Sequence, residues 1–531
     1  MHLSSSKSRA VVFGRKENKD IDLHIYGKKI QLKKEHKFLG IWFDSRLTWS
    51  KHITETIIRC NKRLNLLRCI AGTKWGNNYE ILFLVYKGLI RSVIDYGCEA
   101  YDAASVTLKQ KLDTIQYQAL KIITNAAQQT SLKALQVECG EMPLQLRRNM
   151  FADKYNYYLH AAKINHPVKE ILSQCWQYER HTWKIGQGPF IKRLIRKVRS
   201  VEKLDECSTI KPYWHYKRPC ISIDINDQIS KKISSSIETR TYANEIIRKK
   251  WNYCLTIYTD ASKQQEGNTG AAFYIPKLNI SKRFRTSNIS IMRAELIAIL
   301  MALEWIEEYH PVAVVILSDS RSALEAIQNI CEMSIVIEIY EKLMAINSFG
   351  IAVQFEWVPA HCGLSGNERA DLLAKQASIK QHVDIILSQS KSEFMSEADI
   401  FYKSLWQDRW NTDEKGRHLY NIQPEVTTIF KLKGLCRKDE RIIHQFRLGK
   451  CHLNYYKYVR KKHDTGLCEE CQTLETIEHF ILSCPKYERQ RNRMYRSIKT
   501  KNPSLRDLLG KEEHIGKVVA YIKGTGRYNE L

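Results

Sequence analysis

Apolar residues recur at three- and four-residue intervals through NNYEILFLVYKGLIRSVIDYG and LKQKLDTIQYQALKIITNAA, the mark of packed helices. Two strand-like runs, AVVF and FLGIWFD, stand ahead of them. From about 166 to 250 the periodicity is lost, and aromatic residues scatter among Lys and Arg, which reads as a basic connector with weak structure. Pattern returns at Trp251. CLTIYTDAS reads as a buried strand ending in Asp260, GAAFYIP as its hairpin partner, and 283–285 as a third short strand. RAELIAILMALEWI is an amphipathic helix with Glu295 in its first turn. VAVVILSD is a strand ending on Asp319, and SRSALEAIQ opens a helix at once. VQFEWVPAHCG runs from a strand into a loop holding His361, and NERADLLAKQA is a helix carrying Asp371. Strands alternating with helices predict an α/β domain over 251–380, with mainly helical regions at 1–165 and 381–531 and the connector at 166–250. A chain of 531 residues is too long for one core, in keeping with three or four such regions.

Charge narrows the partners. Lys and Arg number 84 against 57 Asp and Glu, a net charge of +27, which favours a polyanion such as nucleic acid. A membrane partner is not expected, because apolar runs such as 296–303 fall far short of the roughly 20 residues that cross a bilayer. The start, MHLSSSKSRAVVFGRKENKD, lacks the apolar core of a secretory signal. Most of the 15 cysteines are scattered singly, which suits a reducing intracellular compartment, nucleus or cytoplasm alike.

The acids of the α/β domain carry the candidate chemistry. Asp260 and Asp319 fall where a strand hands over to a turn or helix, and Glu295 begins a helix. Each alone has a plain structural reading: a turn or helix cap for the aspartates, a helix-dipole partner for Glu295, a solvated charge for Asp371. Together they converge if the two strands are neighbours. Convergent carboxylates repel unless a divalent cation neutralises them, and hard oxygen ligands select Mg²⁺ or Mn²⁺. Two such ions about 4 Å apart serve phosphodiester cleavage. His361 is placed to move a proton near the product.

YTDAS, RAELIAI, LSDSRSAL and WVPAHCGLSGNERADLLA resemble, in order and at compatible spacing, the signature segments of type 1 ribonuclease H over roughly 125 residues. That resemblance implies a mixed five-stranded sheet with flanking helices. It implies Asp260, Glu295, Asp319 and Asp371 as ligands of two Mg²⁺ ions, with His361 assisting proton transfer or product release. Ser262, Ser320 and Arg321 become candidates for touching an RNA–DNA hybrid. Two departures stand out. Ala261 occupies a position where many relatives have Gly. Only one helix, around 335–344, fits before the strand at Val353, so the basic extra helix of some relatives is expected to be missing. The basic connector is then one supplier of grip on the hybrid.

Two further segments add to this. In CEECQTLETIEHFILSC, Cys468, Cys471, His479 and Cys484 have the spacing of a structural zinc knuckle over 468–484. The basic, aromatic FRLGKCHLNYYKYVRKKH before it fits either nucleic-acid contact or an amphipathic helix packed on the knuckle. The order resembles the zinc-binding tail of non-LTR retrotransposon proteins. KFLGIWFDSRLTWSKHI, LIRSVIDYGCEAY and LDTIQYQALKIIT resemble the end of the palm and the thumb of a jockey- or I-type reverse transcriptase, a remnant over 1–165. The chain has no Asp-Asp dipeptide, so no DNA synthesis by this chain alone is expected.

The expected function is therefore hydrolysis of the RNA strand of RNA–DNA hybrids by a retroelement-derived ribonuclease H, with element RNA or target DNA as partners. A non-catalytic nucleic-acid-binding protein is the alternative. An integrase-like DNA nuclease on the same sheet is a third, against which His361 and Asp371 after the last strand argue.

Overall fold

The computed structural model describes residues 4, 7–14, 21–72, 76–161, 215–223, 236–264, 267–331, 333–426 and 430–531. Most of the connector, including KRLIRKVR, lies outside the described residues. The described residues up to Tyr155 and from Ala398 onward form one compact unit, and those from Asn156 to Glu397 another. No helix among the described residues is long and apolar enough to cross a membrane.

The α/β unit contains β1 (Cys220–Ser222), α1 (Ser236–Lys250), β2 (Leu255–Lys263), β3 (Thr269–Ile275), β4 (Ile280–Thr286) and α2 (Ile291–Tyr309). Then follow β5 (Ala313–Ser318), α3 (Arg321–Gln328), α4 (Ser334–Ser348), β6 (Ala352–Trp357) and α5 (Ser365–Ser378). The strands order as β4-β3-β2-β5-β6-β1. β2, β3 and β4 are an antiparallel meander, and β5, β6 and β1 run parallel to β2.

The sheet has six strands where five were expected. The sixth, β1, comes from the connector and is too short to show a period. It pairs with β6 through Gln354↔Cys220, Phe355↔Ile221 and Glu356↔Ser222. Its anchor is the buried Glu356 carboxylate, which accepts from Ser222 Oγ at 2.8 Å and from Lys250 Nζ and Trp251 Nε1 at 3.0 Å each. One carboxylate thus ties the strand, the end of α1 and the sheet together, and those donors offset the cost of burying its charge. Between α3 and β6 the described residues hold α4 alone, so the expected missing helix is indeed not found among them.

Both faces of the sheet are covered, which explains the continuous apolar run of β5. Side chains alternate across a strand. Val314 and Ile316 pack with α2, α3 and α4, whereas Val315 and Leu317 pack with Ala243 and Ile247 of α1 and Ala370 of α5.

The helical unit joins the two ends of the chain. Helices Ser50–Ile70 and Val106–Thr124 share one core with Tyr402, Trp406 and Trp410. FLGIWFD is a hairpin, Glu35–Phe38 against Ile41–Asp44, turning at Leu39 and Gly40, both with positive φ. The polar helix Arg437–Arg447 is largely buried because it serves the ends of other helices, whose last carbonyls and first N–H groups lack partners within the helix. Arg437 donates to Ile122 O at 3.2 Å and Gln445 to Asn125 O at 3.1 Å, while Glu440 accepts from Tyr79 N at 2.8 Å.

At the centre of this contact, Glu138 accepts from Arg447 Nε at 3.0 Å and lies 2.7 Å from His444 Nδ1. All three are essentially inaccessible. Burial alone would raise the Glu138 carboxyl, but Arg447 and His444 outweigh it and hold it below its ordinary value. The unfolded chain therefore takes up the proton first, and this stabilisation fades as pH falls through the carboxylate range. Glu138→Ala leaves the Arg447 guanidinium buried without its anion. The expected loss is about 3–5 kcal/mol, read from the urea unfolding midpoint, and a change under about 1 kcal/mol would contradict the pairing.

Candidate active site

Asp260, Glu295 and Asp319 meet at one point: one carboxylate oxygen of each lies within 4.8 Å of the other two. The parallel pairing of β2 with β5, Ser318 opposite Thr259, brings the two aspartates side by side. α2 packs across β2 and β3 and delivers Glu295. Asp260 is not at a strand end as expected. β2 continues to Lys263 because its hairpin with β3 pairs through Lys263↔Thr269. Glu295 is the fifth residue of α2 rather than a first-turn residue, since the helix begins at Ile291. The helix-dipole explanation for Glu295 weakens accordingly, because that effect falls off within the first turn.

All three carboxyls are held above their ordinary values. Burial first, then the charges of Asp319 and Asp371, push the Asp260 carboxyl well above its usual range. Glu295 is also raised well above its ordinary value, by burial and then by Asp260 and Asp319, and its Oε2 is buried with no hydrogen-bond partner. Asp319 is raised by burial against the opposing pull of Asn367 and His361. A cluster of hard, mutually repelling oxygens with an unsatisfied buried atom fits a divalent cation of the Mg²⁺ class.

Asp371 stands next to this trio rather than in it. It groups with His361 and Glu368 within 4.8 Å, and its Oδ2 accepts from Lys375 Nζ at 2.6 Å. Its charge is still felt at both Asp260 and Asp319. Two glycines let α5 approach so closely. A Cβ at Gly270 would stand 2.3 Å from the Ala374 carbonyl oxygen, and one at Gly366 would stand 2.2 Å from the Tyr258 ring. Only residues without side chains fit there.

The hybrid-contact candidates divide. Ser262 is half-buried on β2, two residues along from Asp260 and so on the same face. Ser320 Oγ accepts from Ala323 N at 3.4 Å and caps α3. Arg321 is exposed and paired with Glu325 at 2.7 Å. Two residues were missed. Asn367 Nδ2 donates to Asp319 Oδ2 at 3.0 Å and orients that carboxylate. Glu368 Oε1 accepts from Gly363 N at 3.2 Å and closes the His361 loop. The spacing of Glu368 three residues before Asp371, on one helix face, was the available signal.

A second group lies in the tail. Cys468, Cys471, His479 and Cys484 offer ligand atoms all within 4.8 Å. The sulfur of Cys484 is 3.8 Å from that of Cys468 and 3.9 Å from that of Cys471, and His479 Nε2 is 3.3 Å from Cys471 Sγ. A tetrahedral ion with Zn–S of about 2.3 Å has sulfur–sulfur edges of about 3.8 Å. The Nδ1 of His479 faces Thr473 Oγ1 at 3.3 Å, which leaves Nε2 toward the sulfurs. Burial and the neighbouring Cys468 push the Cys484 thiol up to about 12. At Cys468 burial is outweighed by hydrogen bonds, which hold that thiol below its ordinary value, and a cation between them would favour the thiolates.

Residues 252–379 match the RNase H family. Among curated proteins, the chain is 25% identical over 154 residues to the retrovirus-related Pol polyprotein from type-1 retrotransposable element R1 4 of Nasonia vitripennis. That match covers 28% of this chain and 39% of the relative. It is 25% identical over 122 residues to the probable RNA-directed DNA polymerase from transposon X-element of Drosophila melanogaster, covering 23% of this chain and 13% of that protein. It is 28% identical over 89 residues to the corresponding protein from transposon BS of the same organism, covering 17% and 10%. The chain thus spans about two fifths or less of these relatives' lengths. Residues 252–379 are a ribonuclease H domain, in a chain whose homologues are named as polyproteins and polymerases of non-LTR retrotransposons.

Proposed function

We propose that this chain hydrolyses the RNA strand of RNA–DNA hybrids within a retroelement's replication. The convergence of Asp260, Glu295 and Asp319 within 4.8 Å carries the reading. These carboxylates, with Asp371 beside them, are the residues that would hold Mg²⁺ or Mn²⁺. Two such ions activate a water and stabilise the leaving oxygen when bound. The chain's own part is positional. Asn367 holds one oxygen of Asp319, leaving the other to face the cluster. Tyr258 and Leu317 stand two residues before Asp260 and Asp319 on the same strand faces, and Ala272 is the register partner of Asp260. All three are buried, and an apolar base of that kind strengthens charge interactions among the acids. His361, exposed on its loop beside Asp371, takes or gives the proton at the product side. Cleavage leaves 3′-hydroxyl and 5′-phosphate ends.

Cys468, Cys471, His479 and Cys484 are proposed to hold one structural Zn²⁺, and the helices of the first 165 residues to act as a positional scaffold without DNA synthesis. The test incubates the full chain and Mg²⁺ with a hybrid labelled on its RNA strand, beside the same sequence as duplex DNA. Cut RNA with an intact DNA duplex is expected. Binding of hybrid without cleavage in either Mg²⁺ or Mn²⁺ would instead identify a non-catalytic nucleic-acid-binding protein.

A further inference from the structure

α1 lies outside the matched segment 252–379, yet it packs on the catalytic half of the sheet. Its Ala243 and Ile247 are buried in one cluster with Val358, Cys362, Leu364 and Ala370, the residues that bracket the His361 loop. Positions three, four and seven apart share a helix face. Arg240 therefore continues the Ala243–Ile247 stripe one turn beyond the core, and it comes to rest on that loop. A Cβ at Gly363 would stand 3.3 Å from Arg240 Cδ and 3.5 Å from Arg240 Nη1. His361 and Gly363 both have left-handed backbones, φ 52° and 84°, so the loop curls tightly under the guanidinium.

The neighbouring lysines are already engaged, whereas Arg369 and Arg248 make no ion pair among the described residues but do not lie against the His361 loop as Arg240 does. Lys375 pairs with Asp371 at 2.6 Å, Lys249 with Glu245 at 2.5 Å, and Lys250 with Glu356 at 3.0 Å. Arg240 is exposed and makes no ion pair among the described residues. An exposed guanidinium against the loop that carries His361, with no ion pair among the described residues, has one fitting occupant in a nucleic-acid complex. Its planar fork matches a phosphodiester and its charge offsets that anion beside the carboxylates.

We propose that Arg240 binds a backbone phosphate of the hybrid next to the scissile one, on the His361 side. The assignment rests on the hybrid-nuclease reading. It also gives a described part of the connector the gripping role that the missing basic helix leaves open.

The test uses the full chain in the Asp319→Asn background, so that hybrid binding is read without cleavage. Fluorescence anisotropy of a labelled RNA–DNA hybrid is followed across salt concentrations. Arg240→Ala is expected to raise Kd about tenfold and to flatten the slope of log Kd against log salt by roughly 0.7–0.9, one phosphate contact. Arg240→Lys should keep the slope while losing part of the affinity, because the charge stays and the fork goes. Arg248→Ala, about 12 Å along the same helix, should bind as the parent does. Unchanged affinity and slope in Arg240→Ala would overturn the proposal, and so would an equal loss in Arg248→Ala. A fall in kcat alone, measured with Asp319 restored, would mean that Arg240 only props the loop. If the parent chain leaves hybrid uncut, the nuclease reading fails instead, a result separate from any of these.

Discussion

Asp319→Asn lowers hybrid cleavage by about a thousandfold or more while leaving the fold and hybrid binding in place. The substitution keeps the shape of the side chain and an oxygen that Asn367 can still meet at the 3.0 Å now spanned to Oδ2. What it removes is one negative charge from a buried trio. Cation affinity and the field at the reacting phosphate both depend on that charge, and a thousandfold rate loss corresponds to only about 4 kcal/mol. The check is single-turnover cleavage of a labelled hybrid, with circular dichroism to verify folding. A variant cutting at near the parent rate would refute the metal assignment of all three acids, since they are argued as one cluster.

Removing the proposed zinc is expected to have the second large effect, on stability. Cys468 and Cys484 sit in a core with Ile442, Phe446, Phe480 and Tyr521, so the proposed zinc ligands are part of the packing of the tail. Binding free energy at such a site is folding free energy, and its loss is expected to cost more than about 4 kcal/mol. Cys484→Ser should purify without zinc, and its helical unit should melt well below the parent. Cys451→Ala supplies the control: Cys451 is buried in the same core but outside the ligand group. The parent protein should contain one zinc per chain by metal analysis. No zinc in the parent, together with equal melting of Cys484→Ser and Cys451→Ala, would refute the site.

The acids were legible because each lies in or beside a run whose period is strong. VAVVILSD is apolar on both faces, and only a polar residue at its end could leave the sheet. The placement of Asp260 was misread for a related reason. TDASK looks like a turn, yet hairpin pairing with β3 holds it in the strand, and pairing is not written in the residues themselves. Leu39 and Gly40 hid a hairpin, since a single apolar residue with positive φ breaks no hydrophobic pattern. The buried helix Arg437–Arg447 could not be recognised as core, because its charged side chains find their partners on helices hundreds of residues away. Three-residue β1 carries no period at all, and only its bond to Glu356 gives it a place.

Glu138 and Arg447 stand 309 residues apart in the chain, with the whole ribonuclease H domain between them. During synthesis the domain's strands and helices have all left the ribosome before Arg447 is made. The α/β unit can therefore mature while the helical unit still waits for its second half, and closing so long a loop is entropically costly and slow. A premature stop anywhere in the tail would then release a chain with a finished ribonuclease H domain and an unfinished helical unit.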